Sequence, residues 1–115
     1  MVCFLTSCFQ EKGKIAVENG EGEKISIPYY VAYFEDFKKH YTKDDFEYFV
    51  EEASNEARLM CKHTPTYEPK SVDVLSEGET VTIKISFNAK NSFGVPNDET
   101  GYFKFKGRVL IDSNR

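Results

Sequence analysis

Tryptophan is absent from these 115 residues, cysteine occurs three times, proline four times and glycine seven times. Without indole rings, large aromatic packing falls to seven Tyr and ten Phe, so Phe and Tyr should dominate the core. Three cysteines cannot build a disulfide framework: Cys3 and Cys8 lie close to the start and Cys61 stands alone in the body. No stretch approaches the roughly 20 apolar residues that cross a bilayer, so any membrane attachment would be a covalent lipid. Clustered positive charge is scarce too. The net charge is −4; residues 1–60 carry twelve acids against seven bases, and residues 61–115 seven against eight. That balance argues against nucleic acid as a partner. The one basic strip, Lys104, Lys106 and Arg108, is interleaved with Phe103 and Phe105 and reads as a solvated strand face.

Catalytic patterns are missing as well. No phosphate-cradling glycine loop, serine elbow or dinucleotide fingerprint occurs. Cys61 and His63 could offer two metal ligands, with His40 as a third, but structural zinc wants four ligands in paired spacings. As a nucleophile pair, Cys61 and His63 stand two residues apart, where helical side chains do not face each other. No enzyme, metal or cofactor is expected.

What is present begins with Leu5-Thr6-Ser7-Cys8. This segment resembles the lipobox of bacterial lipoproteins, in which an aliphatic residue and two small ones precede the cysteine that takes the lipid. The resemblance implies lipidation of Cys8, with residues 1–8 the remnant of a signal peptide whose start lies upstream of Met1. A second reading makes the segment a frayed cytosolic terminus or a short first strand. Residues 9–24 contain "QEKGKIAVENGEGEK", polar and turn-rich, and read as a flexible tether. Residues 25–115 then form a single domain.

Within that domain Ser26-Ile27-Pro28 has the form of a helix start, followed by Tyr30, Phe34, Phe37 and Tyr41 at helical spacing. The same stretch is rich in strand-forming residues, so residues 28–41 can be helix or strand. Thr42 with Asp45 approximates a capping box, and Phe46, Phe49, Val50, Ala53, Ala57 and Met60 make one apolar helical face. The opposite face carries Glu51, Glu52, Asn55 and Glu56. After Thr64-Pro65 the period becomes two: a strand from Lys70 to Leu75, a turn at Ser76-Glu77-Gly78-Glu79, and a strand alternating Val81, Ile83, Ile85, Phe87 and Ala89 with polar residues. A long connection, Lys90 to Gly101, leads to a last strand from Tyr102 to Ile111 with a bulge at Gly107. The expected fold is α+β, with one or two helices packed on one face of a three-stranded antiparallel β-meander.

The segments "KHTPTYEPKSVDV", "VTIKISFNAKNSFGV" and "GYFKFKG" together resemble a group of small bacterial envelope proteins, some with a lipoprotein leader. The matching positions are Lys62, Pro65, Thr66, Tyr67 and Pro69, then Ala89, Lys90, Asn91, Ser92, Phe93 and Gly94. Val95-Pro96 departs from the small residue that often follows the Gly. The resemblance spans residues 43–110 and implies an α+β domain with an envelope address, but no reaction. By their own chemistry Asn91 and Ser92 can bond local backbone, Gly94 can take positive φ, and Phe93 can fold back onto the core.

The sequence therefore points to a non-catalytic cell-envelope lipoprotein, monomeric or weakly dimeric, binding an unknown protein or small ligand. Its candidate binding loop is Lys90, Asn91, Ser92, Phe93, Gly94, Asn97 and Asp98, with Tyr67 and Pro69 as a candidate turn surface. The alternative is a cytosolic acidic inhibitor or immunity-type protein that presents Asp44 to Glu56 to a basic partner.

Overall fold

The computed structural model describes residues 9–114, and it replaces the three-stranded meander with a six-stranded mixed sheet. The strands are β1 (Phe9–Glu18), β2 (Lys24–Ala32), β3 (Glu68–Glu77), β4 (Thr80–Lys90), β5 (Pro96–Lys106) and β6 (Val109–Asn114), in spatial order 1-2-3-4-5-6. All neighbours are antiparallel except β2 and β3, which run parallel. A parallel pair needs a crossover, and here it consists of helices α1 (Phe34–His40) and α2 (Lys43–Leu59) and a 3-10 turn at Thr64–Thr66.

The hairpin β1–β2 accounts for most of the difference. Residues 9–18 are a strand paired with β2 from Phe9↔Ala32 to Glu18↔Lys24, where a flexible tether was expected. Their polar content fits an edge strand, from which Ile15 and Val17 reach the core. Ser26-Ile27-Pro28 lies inside β2 and starts no helix. Ile25, Ile27, Tyr29 and Val31 alternate toward the core with period two, and that burial overrides the capping signal. Pro28 sits opposite Lys14, just before the β2–β3 ladder begins at Tyr29, so its missing N–H costs that ladder nothing. The strand-or-helix ambiguity of residues 28–41 resolves into both, with the change at Tyr33, whose φ of 58° is the only positive value outside glycine among the described residues.

At the C-terminal end the expected long connection is largely strand. β5 begins at Pro96 and pairs with β4 in unbroken register from Lys90↔Pro96 to Thr80↔Lys106. Gly107, read as a bulge, has φ 58° and with Arg108 forms a two-residue turn into β6. β6 is an edge with Val109 and Ile111 exposed, which is why its short apolar run merged with β5 when read as sequence.

α2 follows its sequence signature. Thr42 and Asp45 form a full capping box, and Phe46, Phe49, Val50, Ala53 and Ala57 are buried. They pack against Val81, Ile83, Ile85 and Phe87 of β4 and Phe103 and Phe105 of β5, all at or below 1 % exposure. Phe49 contacts Phe105 at 5.1 Å and Tyr41 at 5.0 Å between ring centroids. Removing a ring as enclosed as Phe49 costs about 3–5 kcal/mol. Both helices lie on one face of the sheet. The other face carries a row in register, Lys12, Tyr30, Asp73, Lys84, Tyr102 and Asn114.

Two sets of polar contacts hold the helices at the sheet's ends. At the α1–α2 corner, Asp36 accepts from Ser76 Oγ at 2.8 Å and Gly78 N at 2.9 Å. The Tyr41 hydroxyl donates to the Glu79 carbonyl and accepts from Gly107 N at 2.9 Å. Asp45 Oδ1 accepts both Nε and Nη2 of Arg108 at 3.0 Å. The β3–β4 and β5–β6 turns are thus tied to one helical corner. At the opposite end Gly20 N donates to Tyr67 O at 2.8 Å, and Lys90 N donates to Thr66 Oγ1 at 2.9 Å.

Candidate functional site

The sequence-derived loop proves to be the tip of the β4–β5 hairpin. Asn91 Oδ1 accepts from Phe93 N at 2.8 Å and Val95 N at 3.1 Å, and Gly94 N donates to the Asn91 carbonyl at 2.9 Å. The expected local bonding of Asn91 is present. Phe93, however, is 88 % exposed and does not fold back onto the core. Lys90 ends β4, Ser92 is exposed in the turn, and Asn97 and Asp98 belong to β5. Asn97 donates to Glu99, and Asp98 accepts from Asn88. The hollow beside this tip, shared with Cys61, Lys62 and Glu99, measures only about 150 Å³.

Tyr67 and Pro69 are buried and form no surface. The Tyr67 hydroxyl shares a 2.7 Å hydrogen bond with Ser54 Oγ, and its ring meets Phe87 at 5.2 Å. Burial pushes its pKa up to about 12. Cys8 lies outside the described residues. Cys61 Sγ donates to the Ala57 carbonyl at 3.4 Å, and His40 Nδ1 lies 3.1 Å from the Asp36 carbonyl. About 25 Å of α2 separates His40 from Cys61 and His63, and no group of three metal-ligating side chains occurs among the described residues.

The larger concavity lies elsewhere, between the β1–β2 hairpin and the α1–α2 corner. It encloses about 680 Å³ with Ile15, Tyr29, Val31, Phe34, Phe37 and Phe46 on its walls. Period-two alternation turns Ile15, Tyr29 and Val31 to the helix side of the sheet. Gly13, facing Tyr29 across the hairpin, leaves room for its ring: a Cβ there would stand 3.0 Å from the Tyr29 hydroxyl oxygen. Tyr29 stacks at a tilt on Phe46 at 4.9 Å, and Phe37 meets Phe46 edge-on at 6.1 Å. The left-handed backbone at Tyr33 turns β2 sharply into α1 and brings Phe34 and Phe37 over the opening. A non-glycine residue in that conformation costs roughly 1–2 kcal/mol, strain of the kind that gathers at functional sites.

Charged residues also border this cleft, Glu11, Lys38, Lys43 and Glu47, with Lys14 turned to the other face of β1. Burial and the nearby Glu11 carboxylate raise the pKa of Tyr29, so its hydroxyl stays a donor. A second, more polar groove of about 530 Å³ meets the first at Ile15, Ala16 and Glu47 and continues between β1 and α2, past Val50, Glu51, Ser54 and Arg58. The combined trough follows the free edge of the sheet.

Reading the sequence found Phe34, Phe37 and Tyr41 as a helical stripe but did not join them to Ile15 or Tyr29. One signal was available: nine of the seventeen aromatic residues lie between Tyr29 and Phe49, more than one helix face can bury. No family model, curated protein or solved structure matches this chain.

Proposed function

We propose that this chain is a non-catalytic binding module whose ligand site is the aromatic cleft between the β1–β2 hairpin and the α1–α2 corner. The observation that carries the reading is the cleft itself. Its volume of about 680 Å³ falls within the roughly 300–1,000 Å³ of small-ligand sites, and an apolar wall with a few polar groups at the rim is the usual composition of such sites. Binding is favoured over catalysis because the two carboxyls with shifted pKa are engaged away from the cleft, and the one perturbed group in its wall, Tyr29, is kept neutral. Asp36 and Asp45 hold turns and a helix cap, and Tyr67 is locked to Ser54.

The test uses a neutral apolar fluorophore, N-phenyl-1-naphthylamine, with the intact chain; the absence of Trp keeps the background low. Saturable one-to-one binding is expected, weakened at least tenfold by Phe34→Ala with cooperative unfolding retained. Unchanged affinity in a folded Phe34→Ala protein would place the binding elsewhere.

On the Leu5-Thr6-Ser7-Cys8 pattern we further propose a bacterial cell-envelope address, with a diacylglycerol on Cys8. Because β1 begins at Phe9, that lipid would hold the sheet's free edge at the membrane without a spacer. The mass of the mature protein from membranes, compared with Cys8→Ser, decides the point. An unlipidated soluble chain would favour the cytosolic inhibitor, with the acidic face of α2 as its contact surface.

A further inference from the structure

We propose that the free edge of β1 accepts an extended peptide as an added antiparallel strand, with alternate side chains of the peptide entering the cleft. This rests on the cleft being a ligand site and names the class of ligand.

Lys14 and Ala16 border the cleft, yet alternation with Gly13, Ile15 and Val17 sets their side chains on the opposite face of the sheet. What they present to the cleft is therefore main chain. The pairing with β2 fixes where that main chain points. Asn19 N donates to the Glu23 carbonyl, so these two form a hydrogen-bonded pair, and such pairs alternate with open ones along an antiparallel ladder. Val17–Ile25, Ile15–Ile27 and Gly13–Tyr29 are then the bonded pairs, and Lys12, Lys14 and Ala16 turn their N–H and C=O groups outward. Pro28 agrees, having no N–H to give its partner Lys14. β1 is paired on one side only, and no other backbone bond takes up these groups among the described residues. Such an edge is a template for another strand. Strand addition draws affinity from main-chain bonds and specificity from pockets for every second side chain.

Those pockets are present. A strand laid along β1 carries its helix-side residues beside Gly13, Ile15 and Val17, over the aromatic cleft and then the groove along α2. Where the two hollows meet, α2 offers Glu47 and, one turn on, Glu51. Both are exposed and neither forms an ion pair among the described residues, although like charges at this spacing disfavour a helix. Lys43 and Arg58 stand at the far ends of that wall. The complementary ligand therefore has a basic residue for the two glutamates and apolar residues for the cleft. Running antiparallel to β1, it enters at the groove, so the basic residue comes first.

The blocked peptide Ser-Thr-Lys-Thr-Phe-Thr-Val-Thr-Ser, with Lys, Phe and Val on one face, tests this against the intact chain. It should displace N-phenyl-1-naphthylamine and slow amide exchange at Lys14 and Ala16. Replacing its Lys by Glu, or using the Glu47→Gln/Glu51→Gln protein, should weaken binding about two- to fivefold at low salt. Ala16→Pro removes one outward N–H without touching the β1–β2 bonds, so it should unfold cooperatively and bind the peptide roughly tenfold more weakly. Unchanged exchange at Lys14 and Ala16 under saturating peptide, or full affinity in the folded Ala16→Pro protein, overturns strand addition while leaving the cleft as a site. A peptide that fails to displace a bound fluorophore does the same. Slow exchange at Lys14 and Ala16 that grows with protein concentration in the absence of peptide assigns the edge to a second copy and overturns the peptide. Failure of the fluorophore and the peptide alike to bind removes the cleft reading, and strand addition with it.

Discussion

Asn19 and Asn91 build the same turn. Each side-chain Oδ1 accepts the N–H groups two and four residues on, from Glu21 and Glu23 in one case and from Phe93 and Val95 in the other. Each backbone N–H donates to the carbonyl four residues on, and each carbonyl accepts from a glycine three residues on, Gly22 or Gly94. Those glycines have φ of 82° and 78°, the left-handed region where a side chain is strained. The two turns close the β1–β2 and β4–β5 hairpins on either side of the Thr64–Tyr67 segment. The Asn-Ser-Phe-Gly motif is therefore a hairpin closure, and nothing in its geometry requires a ligand.

The consequence is a split between stability and binding. Asn19 is 7 % exposed, and Asn19→Ala leaves two backbone donors short of an acceptor, at a cost of about 1–3 kcal/mol. Asn91→Ala, in a wetter turn, should cost about 1 kcal/mol. Phe93→Ser should change stability by less than about 0.5 kcal/mol and leave binding of the neutral fluorophore unaltered. Urea unfolding of the three variants checks the order; a large loss for Phe93→Ser would contradict it.

Gly20 and Gly22 sit in one turn for different reasons. A Cβ on Gly20 would stand 2.1 Å from the Thr64 carbonyl oxygen and 2.7 Å from the Pro65 carbonyl carbon, whereas one on Gly22 meets open space. Gly20→Ala must push the hairpin off the 3-10 turn and should cost about 3 kcal/mol. Gly22→Ala suffers only its backbone conformation, about 1 kcal/mol. Equal thermal midpoints for the two variants would refute the close contact.

At high pH, Tyr67 sets a limit. Its folded pKa of about 12 lies above the ordinary 10.0, so its contribution is complete below pH 10 and is lost as pH rises toward 12. The loss is on the order of 2–3 kcal/mol. Tyr67→Phe leaves Ser54 Oγ without its partner and should remove this segment of the pH dependence while lowering stability near neutrality by about 1–2 kcal/mol. Denaturant midpoints between pH 9 and 12 show both effects.

The acid limb has the opposite sign. Hydrogen bonds from Ser76 and Gly78 hold Asp36 below the usual carboxylate value, and the Thr42 amide followed by Arg108 does the same for Asp45. Depressed folded pKa values give stability that is present above the unfolded value of 3.8 and is lost as pH falls through the folded ones. Carbon-detected NMR titration should find both carboxyls ionised below pH 3.8. Asp36→Asn should flatten part of the acid limb by freeing the β3–β4 turn.

What could be read in advance follows from how local each signal is. The Thr42–Asp45 box, the Phe46-to-Ala57 face of α2 and the alternation of β4 depend on neighbours within a turn or a strand, and all three appear in the structure. From Glu11 to Glu18, β1 buries only Val17 fully and leaves Lys12, Lys14 and Ala16 exposed, so its period-two pattern is faint until β2 pairs with it. Ser26-Pro28 carries a helix-start signal that tertiary burial of Ile27 overrules. The cleft inherits the same difficulty. Phe34, Phe37 and Tyr41 were evident as a stripe, but Ile15 and Tyr29 join them only through the β1–β2 pairing, which no spacing within one element encodes.

The most direct measurement is an amide chemical-shift titration of the labelled full chain with N-phenyl-1-naphthylamine. Saturating shifts clustered on Ile15, Tyr29, Phe34, Phe37 and Phe46, with Ser92 to Val95 unmoved, are the result expected of a ligand cleft between hairpin and helices. Shifts centred on the Asn91–Val95 turn, or none that saturate, would contradict it.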